Sequence, residues 1–412
     1  MQKGRMIVLV GGAGAMGAGI VRDLVSDRAI VPLDTIVIGD VSGERADALK
    51  QELGDPRLKS LRLDVAHAGA LRAAFAGADL CINAVPTMAG FQMGIFEAAL
   101  AARVSYLDLG GLGTYTVQQK REHQRFREAG VCAVLGAGSD PGMSNVLCRI
   151  VADELDSVEA INLYWAAERV GPENPVLVPP YNIATVLAEY ALPNTQFYDG
   201  RHVEVAPMSG PEVIDLPEPW GRCEFMHSAH SEQLTVPVAT GIAEKGIREF
   251  TWKLHLPRRE HDAWVGLVKA GFGTDDEPVE IDGGRARPTE FLAALIGRNI
   301  ASDRARIPQQ DSYEIHFAVA RGTKDGAPAT VRGEVVVWPN AMYAKYTDPA
   351  TSMNGSIAAQ LLLKSDRRPG VWAPEEFFET APYLAELKKR AFEVALTVQR
   401  DVSALPLGRA AE

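Results

Sequence analysis

A turn spaced Gly12-x-Gly14-x-x-Gly17 leaves few folds open to this chain, because of what stands on either side of it. Before it, Met6-Ile-Val-Leu-Val10 is a short apolar run of the kind that forms a buried parallel strand. After it, Ala13, Met16, Gly17, Ile20 and Leu24 recur at three- and four-residue steps, one face of a helix. Each glycine has a mechanical task. Gly12 permits the strand-to-helix turn, Gly14 lets a pyrophosphate approach the backbone, and Gly17 lets the helix pack close to the strand. The helix start at Ala15 and Met16 then offers N–H groups and a positive dipole end to phosphate. A second strand over 35–39 ends at Asp40, about 20 residues past the turn, where a ribose-binding acid is expected. Asp40 would bond a ribose 2′-OH and favours NAD. Arg45 would clamp a 2′-phosphate, so NADP stays open.

Strand and helix keep alternating. Further strands are expected over 61–65, with Asp64 at its end, and over 79–85, 106–109 and 131–135, with helices over 43–54, 68–76, 90–101 and 116–129 between them. The fold class is α/β, a Rossmann doubly wound parallel sheet. Ligands of such sheets bind beyond the carboxyl ends of the strands. That rule collects Asp40, Asp64, Asn83 to Pro86, Asp108 to Gly111 and 136–140 on one rim. A helix over 143–155 follows, with Ser139 or Asp140 as its expected N-cap and Pro141 in its first turn. Beyond it the pattern changes to longer strands over 158–166, 248–256, 313–319 and 329–338. In 249–256, Phe250, Trp252, Leu254 and Leu256 share one face. They predict a second α+β domain on a mainly antiparallel sheet. The Pro-rich stretch 171–219 reads as a cleft wall or an arm, and 352–363 and 374–396 read as helical. The expected division is 1–142 for the nucleotide, 143–345 for substrate binding and oligomerisation, and 346–412 as helices returning to the first domain.

At 412 residues the chain is too long for one core, which agrees with that division. A net charge of -11 argues against nucleic acid or an anionic membrane as partner. Cys81, Cys132, Cys148 and Cys223 are spread without a CxxC, as expected of reduced, mostly buried thiols. No apolar run approaches the ~20 residues of a membrane span. A soluble, cytoplasmic protein is expected.

The motifs Gly11-Gly-Ala-Gly-Ala-Met-Gly17, Ile82-Asn-Ala-Val-Pro86, Tyr106-Leu-Asp-Leu-Gly-Gly111 and Gly138-Ser-Asp-Pro-Gly-Met-Ser-Asn145, in this order, resemble the saccharopine dehydrogenase family. The lysine 6-dehydrogenase branch is the most similar, with a counterpart to Arg368-Pro-Gly-Val-Trp-Ala-Pro-Glu375. The resemblance implies hydride transfer at a carbon bonded to nitrogen, a central sheet domain carrying substrate contacts, and a homo-oligomer, with a dimer expected. One departure matters: the acid Asp140 before Pro-Gly fits the saccharopine and carboxynorspermidine branches rather than the lysine 6-dehydrogenase one.

Oxidising an amine needs a nicotinamide facing the C–H bond, a base for the N–H proton and an anchor for a substrate carboxylate. Asn83, Ala84, Val85 and Pro86 follow the fourth strand, where backbone N–H groups would meet the cofactor; the alternative is a strand that ends at a proline. Asp140 is the sharpest proton-transfer candidate, and its competing role is the helix cap. A carboxylate that accepts helix N–H bonds makes a poor acid near neutral pH. Asp108 would touch the cofactor or merely bond its Gly110–Gly111 turn. In Cys223-Glu-Phe-Met-His-Ser-Ala-His-Ser-Glu232, His227 or Glu232 is the candidate base. The resemblance places a substrate segment here, before Leu234-Thr-Val-Pro237. The spacing of His227, His230 and Glu232 fits no zinc pattern, and no metal is expected. Gly110, Gly111, Tyr181, Asn182 and Arg222 are candidate substrate contacts, and Arg169 a further carboxylate anchor.

Three functions follow. The first is NAD(P)-dependent oxidation of an amino acid or diamine C–N bond, lysine 6-dehydrogenase-like. The second is opine-type formation or cleavage of a secondary amine, as in saccharopine or carboxynorspermidine dehydrogenases. The third is a catalytically silent nucleotide-binding protein.

Overall fold

Five apolar residues in a row make a strand with no solvent face, and β1 (Met6–Val10) is buried from Ile7 onward in the computed structural model, which describes residues 5–273, 277–365 and 368–400. The first unit continues with β2 (Thr35–Asp40), β3 (Leu58–Arg62), β4 (Leu80–Asn83), β5 (Ser105–Asp108) and β6 (Cys132–Val134). Then come β7 (Ser157–Val170), β8 (Asn194–Tyr198), β9 (Arg201–Val205), β10 (Glu212–Asp215), β11 (Arg222–His227) and β12 (Glu249–His255). A hairpin of β13 (Val279–Ile281) and β14 (Gly284–Ala286) precedes β15 (Asp311–Lys324), β16 (Ala327–Val337), β17 (Gly370–Trp372) and β18 (Glu393–Arg400).

The first sheet is parallel, in the order β17-β6-β5-β4-β1-β2-β3. Strand order reverses between β1 and β4, so the glycine turn leaves β1 at the crevice where doubly wound sheets bind ligands. Alternate β1 residues feed opposite cores. Ile7 and Leu9 pack with Ile20, Val21 and Leu24, and Val8 and Val10 with Phe75, Phe96 and Tyr106. Helices on both faces explain why β1 reads as an unbroken apolar run.

The second sheet is mixed and mostly antiparallel, β10-β11-β12-β7-β15-β16-β18, with β8 and β9 appended through β12. Its axis is the antiparallel β7–β15 pair; β12 runs parallel to β7. Tyr164, Phe225, Ile315 and Phe317 fill one face. The other face carries Trp165 and His316, directly opposite one another across the β7–β15 pair.

Several expected elements shift. The third strand is Leu58–Arg62, not 61–65, so Asp64 stands past its end. This edge strand mixes Lys59, Ser60 and Arg62 with leucines, which hides its bounds. The helix expected over 116–129 divides at Glu122 into Thr116–Arg121 and His123–Ala129. The stretch 171–219 holds the helix Ile183–Ala191 besides β8, β9 and β10. Helix Met143–Asp153 is capped at Gly142, in a conformation with φ 133° that favours glycine, so neither Ser139 nor Asp140 is its cap. Residues 374–396 are not all helix: after helices Pro374–Phe377 and Thr380–Lys389 the chain extends as β18, where Val394, Leu396 and Val398 alternate with polar residues along β16. The tail therefore serves both sheets, β17 joining the first and β18 the second; 1–4 and 401–412 lie outside the described residues. Among the described residues no helix is long and apolar enough to cross a membrane, and the four cysteines are buried and in no disulfide.

One buried ion pair pins the tail to the nucleotide-binding unit. The Arg390 guanidinium, fully buried, bonds both Asp23 oxygens, through Nε at 3.0 Å and Nη2 at 2.7 Å, and Glu386 at 2.9 Å. Arg390→Ala leaves Asp23 buried without its fork. A loss of about 3–5 kcal/mol in unfolding free energy is expected by denaturant titration.

Candidate active site

The glycine turn is built for close backbone approaches. A Cβ on Gly17 would stand 2.3 Å from the Gly11 oxygen, and one on Gly11 3.1 Å from the Ala84 and Val85 backbone. A Cβ on Gly14 would meet only the Gly11 oxygen, at 3.1 Å, which leaves space before the turn. Helix Ala15–Leu24 starts there with no side-chain cap. These features fit a pyrophosphate at Gly14, Ala15, Met16 and Gly17. Asp40 is nearly buried. Its Oδ2 accepts the Ala13 N–H at 3.1 Å, and its Oδ1 accepts Ser42 N–H and the Arg45 guanidinium, each at 3.0 Å. Arg45 itself is 60% exposed beside the carboxylate.

The rim loops are fixed by buried amides and a buried acid. Asn83 accepts Val85 N–H and donates to Tyr106, each at 3.0 Å, setting the path of Ala84 to Pro86. Asp108 accepts from Gln92, Gln119, Gly110 N–H and Gly136 N–H at 2.6–3.0 Å. Burial pushes the Asp108 carboxyl up, against those donors. Gly110 and Gly111 take positive φ, and a Cβ on Gly110 would strike Pro141 at 2.6 Å. That contact seats the loop after β5 on the turn that carries Asp140.

Asp140 meets the second sheet. Its Oδ2 lies 2.5 Å from His316 Nδ1, with His316 fully buried and Asp140 at 8% exposure. His316 Nε2 lies 3.6 Å from Glu314, which also accepts from the Trp165 indole at 3.5 Å. Burial opposes charge on His316, but Asp140 and then Glu314 outweigh it and hold the imidazole at about 10. Asp348, which faces Glu314 and His316, caps helix Pro349–Lys364; burial and the Glu314 charge raise it to about 6.

A second imidazole stands nearby. His230 stacks on Trp252 with ring centres 3.8 Å apart. Its Nε2 is 3.5 Å from Glu189 and its Nδ1 3.4 Å from Glu232. Burial again opposes its charge, and Glu232 and Glu189 together raise it to about 10. Glu189 takes the Tyr181 hydroxyl, and Glu232 the Ser144 hydroxyl at 2.7 Å. The Tyr181 ring lies 6.3 Å from Trp165, so the His230 and His316 groups adjoin. A Cβ on Gly113, after β5, would fall 3.2 Å from the His230 carbonyl, which brings the rim against this group.

Two family profiles match the chain in succession. The saccharopine dehydrogenase NADP binding domain matches residues 7–134, and the saccharopine dehydrogenase C-terminal domain matches 138–392. The chain belongs to the saccharopine dehydrogenase family. Carboxyaminopropylagmatine dehydrogenase of Synechocystis sp. is 24% identical over 338 residues, 78% of this chain and 79% of that protein. Carboxynorspermidine synthase of Vibrio alginolyticus is 35% identical over 99 residues, 21% of this chain and 23% of that protein. The solved saccharopine dehydrogenase (L-Glu forming) of Saccharomyces cerevisiae shares the fold, with a TM-score of 0.66 at 15% identity, over 96% of this chain and 100% of that one. This member of the family is an NAD(P)-linked oxidoreductase acting on a small amine substrate.

Within this family fold, the residues expected from sequence separate. Asp140, Tyr181 and Glu232 converge on the buried group around His316 and His230. His227 does not: its ring bonds Tyr198 at 3.0 Å and Ser209 at 3.2 Å, and burial with Lys253 lowers it to about 4. Arg222 is 74% exposed, 3.8 Å from Asp215 on the neighbouring strand, because odd and even positions of β11 face opposite ways. Asn182 caps helix Ile183–Ala191 through Thr185 N–H, and Arg169 is spent on Glu260 at 2.8 Å. Asp64 bonds Ala66 N–H at the edge of the sheet. Sequence reasoning missed His316, Glu314 and Glu189. The available signal was a charged pair two residues apart within the apolar strand 313–319.

Both imidazoles hold protons in the folded state that unfolded histidine releases near 6.5. Their stabilisation is complete below about 6.5 and is lost as pH rises toward about 10. Denaturant titrations between pH 6.5 and 9.5 are expected to show falling stability, with a slope of up to ~1.4 kcal/mol per pH unit for each histidine. His316→Asn is expected to remove the His316 share of that slope and leave that of His230. Separately, Gly17→Ala places its methyl on the Gly11 oxygen, and a loss of NAD(P)H affinity of at least tenfold is expected by fluorescence titration.

Proposed function

We propose that the chain makes or splits a secondary amine of opine type, joining a carbonyl compound to a cationic amine through loss of water and hydride reduction of the resulting C=N bond. The observation that carries this reading is the His316–Asp140 pair lying within a buried group richer in carboxylates than in cations, which we take as the wall of the substrate cleft. Asp140, Glu314, Asp348, Glu189 and Glu232 face His316 and His230. Such a cleft favours a substrate that brings ammonium or guanidinium groups of its own. The relatives whose names specify carboxyaminopropylagmatine and carboxynorspermidine are consistent with it. Lysine 6-dehydrogenase activity, on a primary amine alone, is the second reading. The family resemblance supports it, and the presence of Asp140 weighs against it.

Gly12, Gly14, Ala15, Met16, Gly17, Asp40 and Arg45 are the residues that would hold the nucleotide, which when bound supplies or takes a hydride. The remaining work belongs to the chain. Asp140 orients the His316 ring and keeps it protonated near neutral pH, so His316 can give a proton to the departing hydroxyl of a carbinolamine or to the imine nitrogen. In the opposite direction the imidazole must be neutral to take the amine proton. Reduction is therefore favoured near neutral pH, and oxidation gains as pH rises toward about 10. Tyr181 and the His230 group close the cleft against water and oppose a substrate cation with Glu189 and Glu232. The segments 1–142, 143–345 and 346–412, a homodimer built on the second sheet and a cytoplasmic location belong to the same proposal. The exposed Leu396 and Val398 on edge strand β18 support the dimer.

The test is NADPH or NADH consumption with keto acids or aminoaldehydes and with agmatine, norspermidine or lysine, singly and paired. Consumption only when a carbonyl compound and an amine are both present is expected. Turnover of lysine with NAD(P)+ alone would overturn the reading. His316→Asn and Asp140→Asn are expected to lower kcat about 10²–10⁴-fold while leaving nucleotide affinity unchanged.

A further inference from the structure

The segment Arg368-Pro-Gly-Val-Trp-Ala-Pro-Glu375 ends in a carboxylate that is 2% exposed. Glu375 Oε2 accepts Asn145 Nδ2 at 2.9 Å. The same Asn145 amide donates to Thr235 Oγ1 at 3.3 Å. On its other side, Asn145 Oδ1 accepts the Gly142 N–H at 2.8 Å. Asn145 is itself 1% exposed. One side-chain amide thus touches the turn that carries Asp140, the helix Glu232–Thr235 that carries Glu232, and the C-terminal helix Pro374–Phe377.

We infer that Glu375 is a positioning residue, which through Asn145 holds the Asp140 turn and the Glu232 helix in register so that both imidazoles keep their carboxylate partners. Its catalytic consequence rests on the function proposed above; the geometric claim does not. The bond has a definite polarity. Asn145 must offer its carbonyl to Gly142 N–H, so its NH2 can only face an acceptor. Glu375 supplies that acceptor and is pinned in turn. Its helix is braced by Glu376, which accepts Ala373 N–H at 2.9 Å and Lys120 Nζ at 2.5 Å, and Gly370–Trp372 just before it forms β17 in the first sheet. The strut therefore runs from the edge of the first sheet to the cleft. Burial, and then the neighbouring Glu376 charge, raise Glu375 to about 7 against Thr235 and Lys120. Its Oε2 accepts from Asn145 in either protonation state, so the strut survives changes of pH around neutrality.

Reversing the polarity of the bond tests the claim. Asn145→Asp keeps an acceptor for Gly142 N–H but sets a carboxylate against Glu375. The double variant Asn145→Asp/Glu375→Gln restores one donor and one acceptor with nearly the same atoms. The primary readout needs no substrate: the His316 titration by NMR of histidine-labelled protein, assigned with His316→Asn. The groups facing His316 are Asp140, Glu314 and Asp348. Asn145→Asp is expected to lower the His316 midpoint by a unit or more, and the double variant to return it to within about 0.3 units. Where turnover is measurable, kcat should fall at least tenfold and recover in step, with NAD(P)H affinity constant. An unchanged midpoint in folded Asn145→Asp, or a folded double variant whose midpoint stays low, would overturn the inference. Should Asn145→Asp not fold, the folded double variant decides by its midpoint alone. Absence of turnover in every form, with the midpoint shift and rescue intact, would refute the proposed reaction and leave the strut standing.

Discussion

A carboxylate away from water needs hydrogen-bond donors or a cation against it, and for Asp140 that partner comes from the other sheet. Asp140 belongs to the loop that ends the parallel sheet, and His316 to the central pair of the mixed sheet. Desolvation penalises both charges. It is offset only while the ring stays within hydrogen-bond reach of the acid. Any sliding of one sheet over the other therefore separates two buried charges, so the pair orients the sheets as strictly as it orients a proton. His230 repeats the device with Glu189 from the helix Ile183–Ala191 and Glu232 from the helix Glu232–Thr235.

The parallel sheet was legible in the sequence because its signals are local. β1 is apolar throughout since both its faces are covered, Gly12 and Gly17 meet core or backbone closer than a Cβ can approach, and Gly11 takes a φ of 70° that favours glycine. What failed there was the edge: β3 is half solvated, and its polar residues blur its limits. The mixed sheet was legible as strands but not as a topology. Nothing local to 249–255 says that it pairs parallel to β7, because that pairing is selected by contacts far apart in sequence. β18 looked helical for the same reason, being defined by β16 rather than by its own propensity.

The cleft was legible in part. Asp140 stood out by type and place, but its partner did not, since a histidine inside an apolar strand gives no hint of what approaches it from another domain. The choice between helix cap and proton-transfer group was open in sequence. Gly142 excludes the cap by taking that position itself in a backbone conformation that side chains avoid, and the Asp140 carboxylate turns toward His316. His227 drew attention through its place in a polar cluster. The β11 register instead aims it at Tyr198 and Ser209, and three residues further on the chain bends toward the rim and delivers His230.

The nucleotide end shows a related economy of charge. Asp40 in sequence looks like a residue waiting for a ribose hydroxyl. In the fold its oxygens already hold Ala13 N–H, Ser42 N–H and Arg45, so its first duty is to shape the turn. A guanidinium on the outer side of that carboxylate partly neutralises it and presents an exposed cation to solvent. Repulsion of a 2′-phosphate is weakened, while the inner oxygen keeps its grip on the glycine turn. The same side-chain pair thus reconciles a carboxylate at this position with a family domain described as NADP binding. An Arg45 that turned outward to a phosphate would have to leave a carboxylate that is nearly buried, so the inner partner of the pair resists what the outer one allows.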